Sequence, residues 1–218
     1  MRLLRDNGLT IALLALFAFC IVGQYISGWY VDLEDARRHA QPGLTLFAYA
    51  ASPQFLSSVF ENWESEFLQM AAYVVLTAFL IQRGSAESKD PDAPPRDDDL
   101  DQNAQEHSVP SILRKGPLWR AIYARSLGLA LILLFVASFT MHWINSAHAS
   151  AQEALEHGET PKAVFAYLGD AQLWFESFQN WQSEFLSTAV LVVLSIFLRQ
   201  RESPESKPVA APNSQTGV

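Results

Sequence analysis

The chain has 218 residues, half of them hydrophobic, and a formal net charge of −8. This acidic balance and the dispersed basic residues argue against a nucleic-acid-binding protein. The only cysteine, Cys20, excludes an intrachain disulfide.

The hydrophobic residues are concentrated in four blocks. In chain order these are Leu9–Trp29, Phe67–Ile81, Ser126–Ile144 and Phe185–Leu198. A helix of about 20 apolar residues crosses the ~30 Å hydrocarbon core of a bilayer, and the first and third blocks reach that length. The second and fourth are shorter, but each follows an aromatic-rich stretch that extends the helix through the interface. We therefore predict four transmembrane helices, the first a retained span because no small-x-small cleavage site follows it.

The second and fourth blocks belong to two segments that match each other. Residues 60–89 and 178–207 are identical at 19 of 30 positions when they are shifted by 118 residues. The same shift aligns Phe47-Ala48-Tyr49 with Phe165-Ala166-Tyr167, and His39 with His157. Because each copy contains two predicted spans, both copies enter the membrane from the same side. We predict two tandem, parallel two-helix repeats.

The basic residues orient these helices, because cytoplasmic flanks retain Lys and Arg. Of the 15 in the chain, only Arg37, Arg38 and Lys162 fall in the loops that follow the first and third blocks. The others lie at the termini, between the second and third blocks, or at the helix ends that face those regions. Both termini are therefore predicted to be cytoplasmic.

Helix start and stop signals divide each repeat further. In the first repeat, Pro42-Gly43 breaks the chain and Ser52-Pro53 restarts a helix. In the second, Gly158 ends a helix and Thr160-Pro161 supplies a cap and a first-turn proline. Short interfacial helices are expected around the two Phe-Ala-Tyr tripeptides, on the non-cytoplasmic side.

The composition changes between the repeats and after the second one. These regions are polar or acidic and contain proline, and such segments cannot bury enough apolar surface to offset their chain entropy. We predict a first two-span repeat over residues 1–83, a disordered cytoplasmic linker over 84–116, a second two-span repeat over 117–202 and a disordered cytoplasmic tail over 203–218.

The motif F-x-N-W-x-S-E-F, which occurs at 60–67 and 178–185, contains the best candidates for a functional site. Its Asn and Glu lie four residues apart and so share one helical face. Polar residues near the outer ends of the first and third blocks form similar stripes. An ionisable group at membrane depth is costly and points to function. The predicted ion-binding cluster near the non-cytoplasmic face comprises Glu66, Glu184, Asn62, Asn180, Gln24 and His142.

The same residues also have a structural interpretation, which the sequence favours. Glu66 and Glu184 sit at the outer ends of apolar runs, where a carboxylate reaches water, and membrane helices use amide side chains to bond their neighbours. Three more histidines, His39, His148 and His157, fall in predicted loops without tight ligand spacing, so no metal site is predicted. No nucleotide-binding, metalloprotease or hydrolase motif occurs, and we expect no cofactor and no enzyme activity.

These motifs resemble those of a family of uncharacterised bacterial integral membrane proteins, a domain of unknown function. The resemblance rests on Asn7-Gly8-Leu9, Gly23-Gln24, Trp29, Phe60–Met70 and Gly84–Asp92. It covers most of both repeats and implies a location in the bacterial inner membrane without an established activity. The second repeat departs from the motif, since Gln179 and Gln182 replace two glutamates of the first, so the halves of any site need not contribute equally.

The sequence thus predicts an all-α, four-span inner-membrane protein with a non-enzymatic, structural or accessory role in the cell envelope. The alternative is a small proton or cation channel or carrier that uses the polar cluster. The expected partners are the lipid bilayer and either a second copy of the chain or another membrane protein, because four helices alone leave little room for a pore.

Overall fold

The computed structural model describes residues 2–93 and 109–217. The protein is all-helical, with about 70% helix and no strand in these ranges. The α-helices are α1 Arg2–Arg38, α2 Leu46–Tyr49, α3 Pro53–Phe79, α4 Pro117–Tyr123, α5 Ser126–Glu156 and α6 Ala171–Phe197. Single 3-10 turns cover Ser111–Arg114 and Ala166–Gly169.

Two of these helices are long and apolar enough to cross a membrane. They are α5 and the Arg5–Arg38 part of α1, which correspond to the third and first apolar blocks. The length and composition of these two helices weakly suggest a membrane protein. The predicted all-helical class is confirmed by the helices given above.

Local signals set several of the helix ends. Ser52 Oγ accepts a hydrogen bond from the Phe55 amide (3.2 Å), so α3 begins at Pro53 as predicted. After α5, Gly158 has a φ of +70°, the left-handed conformation that commonly ends a helix.

The predicted helix start at Thr160-Pro161 is wrong. The chain there is extended, and the next helical turn is Ala166–Gly169. Helix α6 begins only after Asp170, whose carboxylate accepts a hydrogen bond from the Gln172 amide (2.9 Å) and so caps the helix. His148 also differs from its prediction, because it lies within α5 rather than in a loop.

The chain divides into two compact units. Unit 1 comprises residues 1–59 and 141–168, and unit 2 comprises 60–140 and 169–218. The boundary between residues 59 and 60 falls inside α3, and the boundary between residues 140 and 141 falls inside α5. Each of these two helices therefore contributes one portion to each unit.

Unit 1 is built around aromatic side chains. Tyr49 is buried and its ring lies 6.1 Å from that of Tyr25 and 5.4 Å from that of Phe55. Burial raises the pKa of the Tyr49 phenol, and the negative charge of Asp32 raises it further. The Tyr25 hydroxyl donates to the Leu46 carbonyl and thereby ties α2 to α1.

The second short helical turn is held in the same way. Trp143 Nε1 donates to the Val164 carbonyl (2.8 Å), and Tyr167 is buried. Trp143 and Val164 stand 118 residues after the Tyr25 and Leu46 that make the first contact. Phe47-Ala48-Tyr49 therefore lies in a short helix as the sequence predicts, and Ala166 and Tyr167 of the second tripeptide lie in a short 3-10 turn.

Unit 2 has a core that combines one fully buried leucine, Leu173, with several buried polar side chains. An aromatic cluster lies on α6 and on the first half of α5. The ring of Trp181 lies 6.1 Å from Phe135 and 5.4 Å from Phe178.

The ends of α3 and α6 meet the described parts of the linker and the tail within unit 2. Ser85 Oγ lies 2.9 Å from Ser195 Oγ, and the Gly84 amide donates to Thr216 Oγ1 (2.9 Å). These segments therefore carry specific hydrogen bonds where composition predicts disorder. The predicted domain boundaries stay predictions, and residues 94–108 of the predicted linker lie outside the described residues.

Lys207 is the most deeply buried charged group of the tail, with 1% of its surface exposed. Its Nζ lies 2.5 to 3.4 Å from five backbone carbonyl oxygens, those of Gly84, Ile196, Pro212, Asn213 and Gln215. Burial lowers the pKa of this ammonium, and the positive charge of Arg199 lowers it further. The carbonyl oxygens partly replace the water that the ammonium loses on burial.

Candidate functional site

The F-x-N-W-x-S-E-F motif of α3 contains a fully buried carboxylate. Glu64 has 0% of its surface exposed. Its Oε1 accepts hydrogen bonds from Ser177 Oγ (2.9 Å) and from Trp181 Nε1 (3.2 Å). Ser177 and Trp181 are four residues apart and so lie on one face of α6. This face of α6 donates and α3 accepts, which is the arrangement that a buried carboxylate requires.

Two more contacts join the same helices on either side of Glu64. Asn180 Nδ2 donates to Glu61 Oε1 and also to the Glu176 carbonyl. Gln69 Nε2 donates to Thr188 Oγ1. From Glu61 to Gln69 the polar contacts extend over about 12 Å of helix. We call these three contacts the α3–α6 polar ladder.

The predicted ion ligands of unit 2 are only partly engaged in this ladder. Asn180 belongs to it, whereas Asn62 and Glu66 are exposed and Glu184 is half-buried. The charge of Glu66 acts on the Glu184 carboxyl, and the ion-binding cluster stays a prediction.

The other two predicted ligands, Gln24 and His142, belong to unit 1. Gln24 is half-buried, and its Nε2 donates to Ser58 Oγ (3.2 Å) on the first turns of α3. His142 on α5 is fully buried. The six predicted residues are thus distributed over both units, with four in unit 2 and two in unit 1.

The residues that sequence reasoning missed are Glu64 and its two donors. A signal for them exists in the comparison of the matching segments. Glu61 and Glu64 of the first segment correspond to Gln179 and Gln182 of the second. The segment with the two extra carboxylates supplies the carboxylate acceptors of the ladder, whereas Thr188 of the other segment accepts from Gln69.

Unit 1 contains a half-open cavity of about 540 Å³ beside the C-terminal ends of α1 and α5. Its polar lining includes Asp32, Gln41, Gln54, Gln152 and Glu156. The Gln54 and Gln152 amides bond each other across it (3.0 Å). Carboxylates and amide oxygens at one opening favour a cation over an anion.

Comparisons with known proteins give one match. A family model described as a domain of unknown function, DUF6766, matches residues 1–218. No curated protein and no solved structure matches the chain.

Proposed function

The chain belongs to the family of this domain of unknown function, and we propose that it is a non-enzymatic structural or accessory protein of the bacterial inner membrane. In this proposal α1, α3, α5 and α6 cross the bilayer as two tandem parallel repeats, with both termini in the cytoplasm. The observation that carries the structural role is the α3–α6 polar ladder.

The exposure of α3 and α6 supports four spans rather than two. Between Phe185 and Phe197 on α6, seven large hydrophobic side chains each expose 43% to 65% of their surface. On α3, Phe79 is 78% exposed and Leu76 49%. A soluble protein buries such rows, whereas lipid tails solvate them. Each helix has 27 residues, a length of about 40 Å, which exceeds the hydrocarbon thickness.

Equivalent hydrogen bonds support the tandem repeat. After α3, the Gln82 amide donates to Ser88 Oγ (3.0 Å), and after α6 the Gln200 amide donates to Ser206 Oγ (2.8 Å). The two pairs stand 118 residues apart. The matching segments therefore share a local fold as well as a sequence, which is expected of a duplicated unit.

The ladder supports a structural role because its polar groups use one another as partners. A carboxylate that accepts two hydrogen bonds at full burial holds two helices in one register and is poorly placed to exchange a ligand with solvent. The side chains of Glu61 and Gln69 are likewise bonded to α6. Membrane helices without a hydrophobic driving force between them use such contacts to associate.

Cysteine accessibility tests the four-span topology, since Cys20→Ser leaves the chain without cysteine. Single cysteines are then introduced at Glu159, which follows α5, and at Asp92, which follows α3. In intact cells a membrane-impermeant maleimide is expected to label Glu159→Cys only, and Asp92→Cys only after permeabilisation. Labelling of both in intact cells, or of neither, would show that the topology is wrong.

A proton or cation channel or carrier is the second candidate, favoured by the charge of Glu66 that acts on the Glu184 carboxyl. The measurement that separates the candidates is proton and monovalent-cation flux into proteoliposomes that contain the full chain. Under the structural proposal, wild type and Glu66→Gln/Glu184→Gln both give the flux of empty liposomes. Flux that the double variant abolishes, with its fold intact, would replace the structural proposal by the transport one.

A further inference from the structure

The ends of α1 and α5 carry the same short pattern, a carboxylate followed four residues later by histidine. Asp35 and His39 form the first pair, and Glu153 and His157 form the second, 118 residues later. Residues four apart lie on one helical face, so each carboxylate is next to its histidine. Asp35 Oδ1 is 3.6 Å from His39 Nδ1.

Unit 1 brings the two histidines together. The imidazole centroids of His39 and His157 are 6.5 Å apart, and the rings meet edge to face. Each histidine amide also donates to the carbonyl of its own carboxylate residue, Asp35 or Glu153, at 3.1 Å. The two pairs therefore have the same backbone hydrogen bond, and their imidazoles lie next to each other in the unit.

The hydrogen bonding of His39 prepares the ring for a metal. Nδ1 lies 3.0 Å from the Asp35 carbonyl oxygen, which is an acceptor only, so Nδ1 carries the proton. The lone pair is then on Nε2. Histidine ligands of metals commonly donate their other ring N–H to a backbone carbonyl or a carboxylate, which fixes the tautomer.

We propose that His39 and His157 bind one divalent transition-metal ion of the zinc class through their imidazole nitrogens, with Asp35 and Glu153 as the neighbouring residues that orient the two rings. Imidazole nitrogen suits Zn²⁺ and its neighbours better than Mg²⁺ or Ca²⁺. The inference goes beyond the proposed function, because none of the four residues belongs to the α3–α6 polar ladder.

The distance between the rings is compatible with this ion after a small rotation. With Zn–N bonds of about 2.0–2.1 Å, two imidazoles on a tetrahedral ion have centroids about 5 Å apart. The rings therefore have to approach by roughly 1.5 Å. The His39 side chain is 50% exposed and His157 is exposed, so neither ring is held in place by packing.

The surrounding charge favours a cation. Three basic residues lie near the same helix ends, Arg37, Arg38 and Lys162, and Arg38 is paired with Glu34. The acidic residues of these ends are Asp32, Glu34, Asp35, Glu153, Glu156 and Glu159. An excess of carboxylates raises the local concentration of cations. Asp32 and Glu156 also line the cavity of unit 1.

Zinc titration of the full chain in detergent tests the proposal, after removal of any affinity tag and treatment with EDTA. We expect one Zn²⁺ per chain by calorimetry, and a tetrahedral visible spectrum when Co²⁺ replaces it. His39→Ala and His157→Ala should each weaken binding at least tenfold. Asp35→Asn and Glu153→Gln should weaken it by about tenfold.

His148→Ala is the matched control, because His148 is exposed on α5 and its substitution by alanine removes the same chemical group. It should bind zinc as wild type does, and circular dichroism should show that every variant keeps its helical content. Binding that survives the double variant His39→Ala/His157→Ala would overturn the proposal. Equal loss in His148→Ala would also overturn it, since zinc would then bind surface histidines unspecifically.

Discussion

Helices α3 and α6 carry the same motif and contribute different residues to the α3–α6 polar ladder. On α3 the carboxylates Glu61 and Glu64 accept hydrogen bonds. On α6 the corresponding residues are Gln179 and Gln182, both exposed, and the donors come from other positions of the helix. Two helices that share this motif thus differ in the residues that they place at the contact around Glu64.

The difference has a physical basis. A carboxylate buried between helices needs hydrogen-bond donors opposite it. Gln179 and Gln182 are exposed, and α6 supplies the donors from Ser177, Asn180 and Trp181 instead. Ser177 donates through its hydroxyl group. The residue 118 positions earlier, Val59, has no donor in its side chain. The differences between the two segments therefore supply the acceptor and the donor that meet at Glu64.

The largest effect should come from removing the acceptor of the ladder. Glu64→Ala leaves Ser177 Oγ and Trp181 Nε1 without this acceptor and opens a cavity. We expect a loss of about 3 kcal/mol in the free energy of unfolding. The corresponding change on α6, Gln182→Ala, removes an exposed side chain and should cost less than about 0.5 kcal/mol.

Denaturant unfolding of both variants in detergent, followed by circular dichroism, checks this asymmetry. If the two variants lose equal stability, Glu64 does not act as the buried acceptor that distinguishes α3 from α6. Glu64→Gln serves as the shape-matched control, because it keeps the volume and one acceptor oxygen and should lose less than Glu64→Ala.

The lysines that follow the two helices extend the comparison. Lys89 is exposed, and its Nζ donates to the Ala78 carbonyl (2.6 Å) at the end of α3. Lys207 makes the equivalent contact with Ile196 on α6, and its Nζ is surrounded by four further carbonyls. The same residue is thus a helix cap in one segment and the centre of a folded tail in the other.

Lys207→Met should release the tail, since five carbonyl oxygens lose their shared donor. We expect docking to weaken by about 2 kcal/mol, equivalent to roughly 30-fold faster amide exchange in residues 203–217. Lys89→Met should change exchange in residues 82–90 by less than about threefold. Hydrogen exchange read by mass spectrometry compares the two, and unchanged exchange in the Lys207 variant would mean that the ammonium does not hold the tail.

Several parts of the fold could be predicted from sequence because their causes are local. Ser52-Pro53 and Gly158 act through the hydrogen bonds and backbone angles of adjacent residues, and their helix ends are confirmed. The start of α6 was missed, although its cause, the Asp170 cap, is also local. Thr160-Pro161 has the same chemical pattern, so the pattern alone does not decide which cap is used.

The candidate site depends on contacts between distant residues, which a single sequence does not contain. Glu64 and Ser177 are separated by 113 residues, and their approach depends on the register of α3 against α6. His39 and His157 are 118 residues apart, so no short ligand-spacing pattern joins them. The signal available in the sequence is that the two histidines align under the 118-residue shift. In the structure their ring centroids are 6.5 Å apart.

The smallest expected effects concern the residues that follow α1 and α5. These residues are Ala40 and Gly158, which differ by one methyl group. Ala40 has a φ of +53° and occupies the place of Gly158, whose φ is +70°. The amides that follow, those of Gln41 and Glu159, donate to the equivalent carbonyls of Ala36 and Ala154.

A residue with a side chain is strained in this left-handed conformation. A Cβ on Gly158 would meet no atom within 4 Å, so the free-energy cost of Gly158→Ala comes from backbone strain alone. Gly158→Ala should therefore destabilise the protein by about 1 kcal/mol, while Ala40→Gly should stabilise it by about 0.5 kcal/mol because the relief of strain exceeds the entropy of glycine. Thermal unfolding of the two variants in the same detergent should show shifts of opposite sign. Shifts of the same sign would mean that the two ends are not equivalent, and would weaken the duplication on which the comparison of the two segments depends.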